Sequence, residues 1–282
     1  LGIECLLTDD LGRADELAKQ LDTINRERRV IESDMREMAM EIAASLLEEG
    51  ETPPPALCVF DPDFHEGVVG IVASRVVERY HRPSFVLGID NGVAHGSGRS
   101  IAAFHLLEGL ESMPELFTKF GGHRQAAGLT MDAARIEEFR ARFRAYAAER
   151  LTPDDFEAEL MIDGEVAFPE ITDAAVMEIL RLAPFGFDNP SPLFVLRDAE
   201  IAAPPDIKSE KHVFARFRQG SKQLRAKAWN FAERAGELTP GSRVDLVVQF
   251  EDDAWSAARG YAPWQTTIKD IRPAGATAAV RR

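Results

Sequence analysis

Three short stretches carry residues whose types and spacing could do chemistry. The first is Gly96-Ser97-Gly98-Arg99-Ser100. Glycines let a backbone approach an anion, and Ser97 and Arg99 supply donors. The segment that follows can open a helix whose amino terminus favours negative charge. The third glycine of a dinucleotide fingerprint is missing, which excludes that reading. A phosphate site and a plain strand-to-helix turn both remain open. The second stretch is Phe120-Gly121-Gly122-His123-Arg124-Gln125-Ala126-Ala127-Gly128. Gly121 and Gly122 leave room for a ligand backbone, and His123 and Arg124 can donate to a phosphate oxygen. Ala126, Ala127 and Gly128 permit close packing behind them. By itself this stretch reads first as a loop with a satisfied histidine. The third is a pair of basic strands. Alternation puts Phe214, Arg216 and Arg218 on one face and Val213, Ala215 and Phe217 on the other. Arg225, Lys227 and Trp229 likewise share a face, opposite Leu224, Ala226 and Ala228. Cations interleaved with aromatics can track a phosphate backbone while stacking bases, and Trp229 reads equally as core.

Charge supports the third stretch. The 282-residue chain has a formal net charge of −14, which alone argues against nucleic acid. Its distribution reverses that argument. Leu151 to Asp206 holds two bases and thirteen acids, whereas Ile207 to Trp229 holds seven bases and one acid. A basic island in an acidic chain is the footprint of a local phosphate-contacting surface, or of a solvated sheet face. Other chemistries are excluded. The histidines at 65, 81, 95, 105, 123 and 212 make no pairs of metal-ligand spacing, and His65-Glu66 is adjacent rather than one helical turn apart. There is no nucleophile elbow and no Walker loop. Cys5 and Cys58 are the only cysteines, which suits a reducing cytoplasm and rules out a disulfide scaffold. No apolar run reaches the ~20 residues of a membrane helix. The start, Leu1-Gly2-Ile3-Glu4, lacks an initiator Met and a signal peptide, which is the expectation for a fragment of a longer polypeptide.

The elements that must position these residues follow from periodicity. Leu17, Leu21, Ile24, Ile31, Met35, Met38, Ile42 and Leu46 recur at helical spacing. They predict one helix from Leu11 to Gly50, roughly 60 Å long, capped by Thr8 or Asp9 and ended by Gly50. That length suits a connector between domains or a coiled-coil partner. An α/β domain follows, with strands at Ala56–Phe60, Ser84–Ile89 and Val93–Gly96 and helices at Val68–Tyr80, Ala103–Leu110 and Ile136–Arg150. Beyond Leu151, strands are predicted at Glu159–Ile162, Leu193–Ile201, His212–Arg218, Gln223–Asn230, Arg243–Glu251 and Gln265–Ile271, with one helix, Thr172–Leu182. Short strands and one helix suit an OB-type β-barrel.

In this order the segments resemble the RecJ family of the DHH phosphoesterase superfamily. Leu6-Leu7-Thr8-Asp9-Asp10 is similar to the end of its DHH catalytic domain, and Asn25-Arg26-Glu27-Arg28-Arg29 to its connecting helix. Phe64-His65-Glu66-Gly67-Val68-Val69-Gly70, Gly96 to Ser100 and Gly121-Gly122-His123 are similar to its DHH-associated substrate domain. Pro184-Phe185-Gly186 and Asn189-Pro190-Ser191-Pro192 resemble the start of its OB-fold, and Lys269-Asp270-Ile271-Arg272-Pro273 the end. Phe64 stands where the family has Trp, and Asp253 and Ala257 flank Trp255 where it has Asn and Gly.

The resemblance implies an α/β plus β architecture. Residues 1–52 would be the end of the catalytic domain and the connecting helix. Residues 53–150 would be the DHH-associated domain, 151–275 the OB-fold and 276–282 a disordered tail. It implies the substrate-binding portion of a 5′-3′ exonuclease specific for single-stranded DNA, acting in DNA repair and recombination in the cytoplasm. Ser97 and Arg99 would hold the 5′-terminal phosphate, and Gly121, Gly122 and Arg124 would belong to the same substrate-binding surface. His123 would contact the scissile phosphate, and the OB strands the downstream DNA. Mn2+ or Mg2+ would be bound by the missing amino-terminal domain, since the Asp/His motifs that hold the ions are absent and this chain offers no metal ligands. Single-stranded-DNA-binding protein and recombination proteins stand as further partners, and no membrane is implied. A non-catalytic single-strand-binding module and a DHH-type oligonucleotide or cyclic-dinucleotide phosphodiesterase are the alternatives. The Pro-Phe-Gly and Asn-Pro stretches favour RecJ over the latter.

Overall fold

The computed structural model describes residues 1–48, 52–186 and 188–276. The chain divides into two compact units, Leu1–Ala158 and Glu159–Arg282. Gly50, expected to end the long helix, and all of the expected disordered tail except Ala276 lie outside the described residues.

The first unit opens with α1 (Gly2–Leu7) and the long helix α2 (Leu11–Glu48). The cap of α2 is Asp10, whose Oδ1 accepts from the amides of Gly12 and Arg13, rather than Thr8 or Asp9. The buried face of its last third is Met35, Ala39, Ala43 and Leu46. The expected stripe chose Met38, which is exposed, over the alanines. Alanine lets α3 (Val69–Tyr80) approach closely, so small residues form this seam. Ile24 and Ile31 of the expected stripe are also exposed.

Five strands form the sheet: β1 (Leu57–Asp61), β2 (Ser84–Asp90), β3 (Val93–Arg99), β4 (Phe117–Gly122) and β5 (Ala126–Asp132). Their order is β1-β2-β3-β5-β4, with β1 and β2 parallel and the rest antiparallel. Leu57, Val59 and Val86 face α2 and α3 in one core. Cys58, Phe85 and Leu87 face the other core, with α4 (Leu106–Glu111) and α5 (Ile136–Ala148). Phe85 meets Phe139 and Phe143 edge-on there, at ring-centroid distances of 5.4 and 5.2 Å. Burial pushes the Cys58 thiol up to about 12, so it stays protonated and inert.

Two local expectations are corrected. Gly96 to Arg99 is the second half of β3, not a loop, and opens no helix; α4 begins only at Leu106. Gly121 and Gly122 end β4, and β5 follows after a three-residue turn. Neither strand is readable from its residues, because glycine, lysine and alanine interrupt the few strand formers, and pairing of β5 with β3 and of β4 with β5 imposes the conformation.

The second unit contains β6 (Gly164–Glu165), α6 (Asp173–Leu180), β7 (Phe194–Ile201), β8 (Asp206–Lys208), β9 (His212–Gln219), β10 (Lys222–Ala228), β11 (Arg243–Asp252), α7 (Ala254–Ala257) and β12 (Trp264–Pro273). The order β7-β11-β12-β10-β9 closes on itself through β7–β9 pairing, with β10 and β12 parallel. This is a five-stranded barrel of OB type. Leu196, Val213, Phe217, Leu246 and Ile268 fill it. Glu159–Ile162 is not the expected strand: Leu160, Met161 and Ile162 are exposed and no neighbouring strand pairs with them. Asp245 is buried and ties Arg197, Arg272 and the Asp198 amide together. Burial pushes its carboxyl up, but these partners outweigh burial and hold it below the ordinary range.

Candidate nucleic-acid interface

In the first unit, α2 packs on β1 and α3 on β2 and β3, and the same sheet face lies open beyond them. A cleft of about 680 Å³ lies there, lined by Ser97, Lys119, Gly121, Gly128, Thr130 and Glu66 among others. Strand register arranges its floor in rows. Arg99 is opposite Ala126, whose carbonyl accepts from the His123 amide at 2.8 Å. Ser97 is opposite Gly128, which is opposite Gly121. His95 is opposite Thr130, which is opposite Lys119.

Ser97 and Arg99 come together. The Arg99 guanidinium donates to Ser97 Oγ at 3.0 Å and to the Gly98 carbonyl at 2.8 Å. Gly70, in the first turn of α3, faces both: a Cβ there would lie 3.2 Å from Arg99 Nη2 and from Ser97 Oγ. No side chain caps α3. Its first turn therefore lies, at Gly70, against a serine and an arginine that has no acidic partner among the described residues. That arrangement suits one anion.

The glycines divide by task. Gly96 and Gly98 do not serve an anion as expected. They face the core, where a Cβ would come within 2.8 Å of Leu87 and 2.5 Å of Phe85. Gly122 has φ +148°, and a Cβ would collide with the Ala126 carbonyl at 2.3 Å, so the turn requires it. Gly121 and Gly128 face open space. His123 is exposed at the turn and accepts from the Gln125 amide. Arg124 points away from the floor, donating to the Ala102 carbonyl at 2.8 Å, and so holds the turn against the segment before α4.

The second unit carries a groove of about 960 Å³ lined by Phe214, Arg225, Lys227, Trp229, Trp255 and Tyr261 among others. The six residues proposed from alternation divide. Arg216 and Arg225 are exposed, directly opposite each other in register, and have no acidic partner among the described residues; Arg225 lines the groove and Arg216 lies beside it. Arg225 lies 5.9 Å from the Phe214 ring centroid. Arg218 is bonded to Glu200 and does not line the groove. Lys227 is not the free outward cation expected: it is 8% exposed. Its ammonium lies 3.2 Å from Glu251 and 4.4 Å from the Trp229 centroid, so the correct face is crowded by both partners. Trp229 lies just past the end of β10, not in the core. It is half-exposed between Lys227 and His212, whose ring meets it edge-on at 4.7 Å.

The sequence marks Trp255 only by its altered flanks, and neither it nor Tyr261 is among the expected site residues, yet they are 65% and 70% exposed on the β11–β12 connection. The signal was present, because large aromatics beside Gly260 and Pro263 in a loop have no core to fill. Asp253 also lines this groove. Hydrogen bonds from Ser256, hydroxyl first and then amide, occupy its carboxylate and hold it below the ordinary range.

The α/β domain with its glycine-floored cleft and the OB barrel that follows it each match a known domain family. Residues 54–149 match the DHHA1 domain and residues 162–270 the RecJ OB domain. The chain belongs to the RecJ family. It is 35% identical over 257 residues, 90% of this chain, to the single-stranded-DNA-specific exonuclease RecJ of Bacillus subtilis, and covers 32% of that protein. It is 40% identical over 199 residues to the protein of the same name from Dickeya dadantii, covering 69% of this chain and 34% of that one. The crystal structure of Thermus thermophilus RecJ in complex with Mg2+ matches at 30% identity with a TM-score of 0.72, covering 97% of this chain and 40% of that one. The same protein with Mn2+ matches equally well. The chain thus spans about a third of the length of the curated relatives it matches. No described helix is long and apolar enough to cross a membrane.

Proposed function

We propose that this chain is the substrate-binding portion of a 5′-3′ exonuclease specific for single-stranded DNA, working in cytoplasmic DNA repair and recombination. The observation that carries this reading is the convergence of Ser97, Arg99 and the uncapped start of α3 at Gly70. It is a seat for a single terminal phosphate. His123, at the exposed turn one row away, would contact the phosphate next along the strand. The OB groove would hold the downstream strand by stacking and by Arg225, with Arg216 beside it, without reading its sequence. The described residues include no group of three His, Cys, Asp or Glu side chains able to cage an ion. They do not fit the Mg2+ or Mn2+ found with the Thermus relative, so an ion of that kind would be held by residues outside this chain. Single-stranded-DNA-binding protein and recombination proteins fit as partners of such an enzyme.

The test compares 5′-phosphorylated with 5′-hydroxyl trinucleotides binding to the purified chain. A charge-assisted contact is worth about 1.5–3 kcal/mol, so the wild-type chain should prefer the phosphate by roughly 10- to 150-fold. Arg99→Ala should remove most of that preference. A variant that keeps the wild-type ratio would show that Arg99 does not read the terminal phosphate.

A further inference from the structure

The cleft is larger than one phosphate needs, and the rest of it has a definite character. Beyond Ser97 its middle row continues as Gly128 and Gly121, a strip of bare peptide. The protein's own packing does not require these two glycines. A Cβ on Gly121 would meet nothing within 4 Å, and one on Gly128 only the Gly96 carbonyl oxygen at 3.7 Å. Neither has a positive φ. This separates them from Gly98 and Gly122, whose missing side chains are demanded by Phe85 and by the turn. An absence that the fold does not need leaves room for something laid on the sheet.

The groups around the strip carry both signs. Glu66, on the loop leading into α3, is an acceptor; Lys119, on β4, is a donor. Neither has a charged partner among the described residues. Thr130, between His95 and Lys119, can donate or accept. A second phosphate would meet the Glu66 carboxylate in the same cleft. A neutral, flat group with donors and acceptors on its edge meets complementary partners and an unobstructed floor.

We propose that the Gly121–Gly128 strip seats the nucleobase of the 5′-terminal nucleotide, with Lys119 and Glu66 holding its polar edge. This rests on the terminal phosphate sitting at Ser97 and Arg99. The strip begins at Ser97, so phosphate and base occupy adjoining parts of one cleft.

Binding of two small probes to the full chain, measured by calorimetry, tests this. The first is thymidine 3′,5′-bisphosphate. The second is its abasic tetrahydrofuran counterpart, with the same phosphates and no base. Both are too short to depend on the barrel groove. The base should improve wild-type affinity about tenfold, about the worth of one hydrogen bond between its edge and a charged group. Gly121→Val, whose Cβ meets nothing within 4 Å, should reduce binding of the base-bearing probe to the abasic level and leave the abasic probe within about twofold. Thermal melting reports its fold, and Gly128→Ala repeats the comparison with one methyl group if the valine variant is unstable. Equal wild-type affinity for the two probes would overturn the proposal, as would equal weakening of both by the strip variants. Arg99→Ala should weaken both probes alike. If it weakens neither, the phosphate placement fails, while the difference between the probes still reports on the base.

Discussion

The two candidate surfaces are built by opposite means. In the α/β unit the cleft exists because side chains are absent: Gly121 and Gly128 bare the floor, and Gly70 clears space above Ser97 and Arg99. In the barrel the groove exists because side chains are large: Phe214, Trp229, Trp255 and Tyr261 stand along strands and a loop that small residues would leave flat. A surface made by absence tolerates one shape, which suits the end of a strand. A surface made of aromatic faces and cations accepts any base at repeated positions, which suits its length. One surface should therefore fail through packing and the other through lost contact area.

The largest effect should come from the glycines that the core demands. Gly98→Val would drive a Cβ to 2.5 Å from Phe85, inside the Phe85–Phe139–Phe143 cluster. Overpacking of this kind costs about 3 kcal/mol. Gly121→Val should change stability by less than about 1 kcal/mol, since its side chain enters open space. Denaturant unfolding of the two variants measures the difference. Equal midpoints would erase the division between packing glycines and binding glycines.

A smaller effect belongs to the barrel. Trp255→Ala should weaken binding of a single-stranded oligonucleotide of ten or more bases by about 1–3 kcal/mol, the worth of one stacked base. The preference for a 5′-phosphate over a 5′-hydroxyl should not change. If Trp255→Ala altered that preference and left overall affinity intact, the assignment of ends to one unit and length to the other would be reversed.

How much of this was legible depended on what produced each feature. Alternation placed Arg216, Arg225 and Phe214 on one face correctly, because strand geometry fixes that independently of partners. Ser97 and Arg99 were legible as a donor pair two residues apart, which on β3 puts them on the same face. Gly70 was not, since its role depends on where α3 lands. The state of Lys227 was hidden for the same reason: nothing local predicts Glu251 arriving from β11, or Trp229 turning back over the ammonium. β4 and β5 are hidden because glycines and alanines interrupt their strand formers, and each takes its conformation from a neighbour, β5 from β3 and β4 from β5. Met38 was chosen over Ala39 because hydrophobicity, not size, was counted, and the α2–α3 seam selects for size.

The smallest and most discriminating effect lies among the cations of the barrel. Arg216 and Arg225 face each other across β9 and β10 with no carboxylate partner among the described residues. Like charges directly opposite cost up to about 1 kcal/mol, so the unliganded barrel bears a repulsion that a bound phosphate would relieve. Removing either arginine should lower the slope of log affinity against log salt by about 0.7 on single-stranded DNA, one counterion's worth. The same substitution should leave the free barrel unchanged or slightly more stable. Arg218 already spends its charge on Glu200, and Lys227 on Glu251. Arg218→Ala uncovers one acid as it removes one base, so its slope should fall no further than that of either free arginine. Lys227→Ala should lose affinity through the unsupported Trp229 ring, with its slope nearly intact. Salt titrations of the four alanine variants provide the measurement. Four equal slope changes would show that DNA samples the net charge of this face and ignores its pairing. A change confined to Arg216 and Arg225 would place the backbone between those two strands.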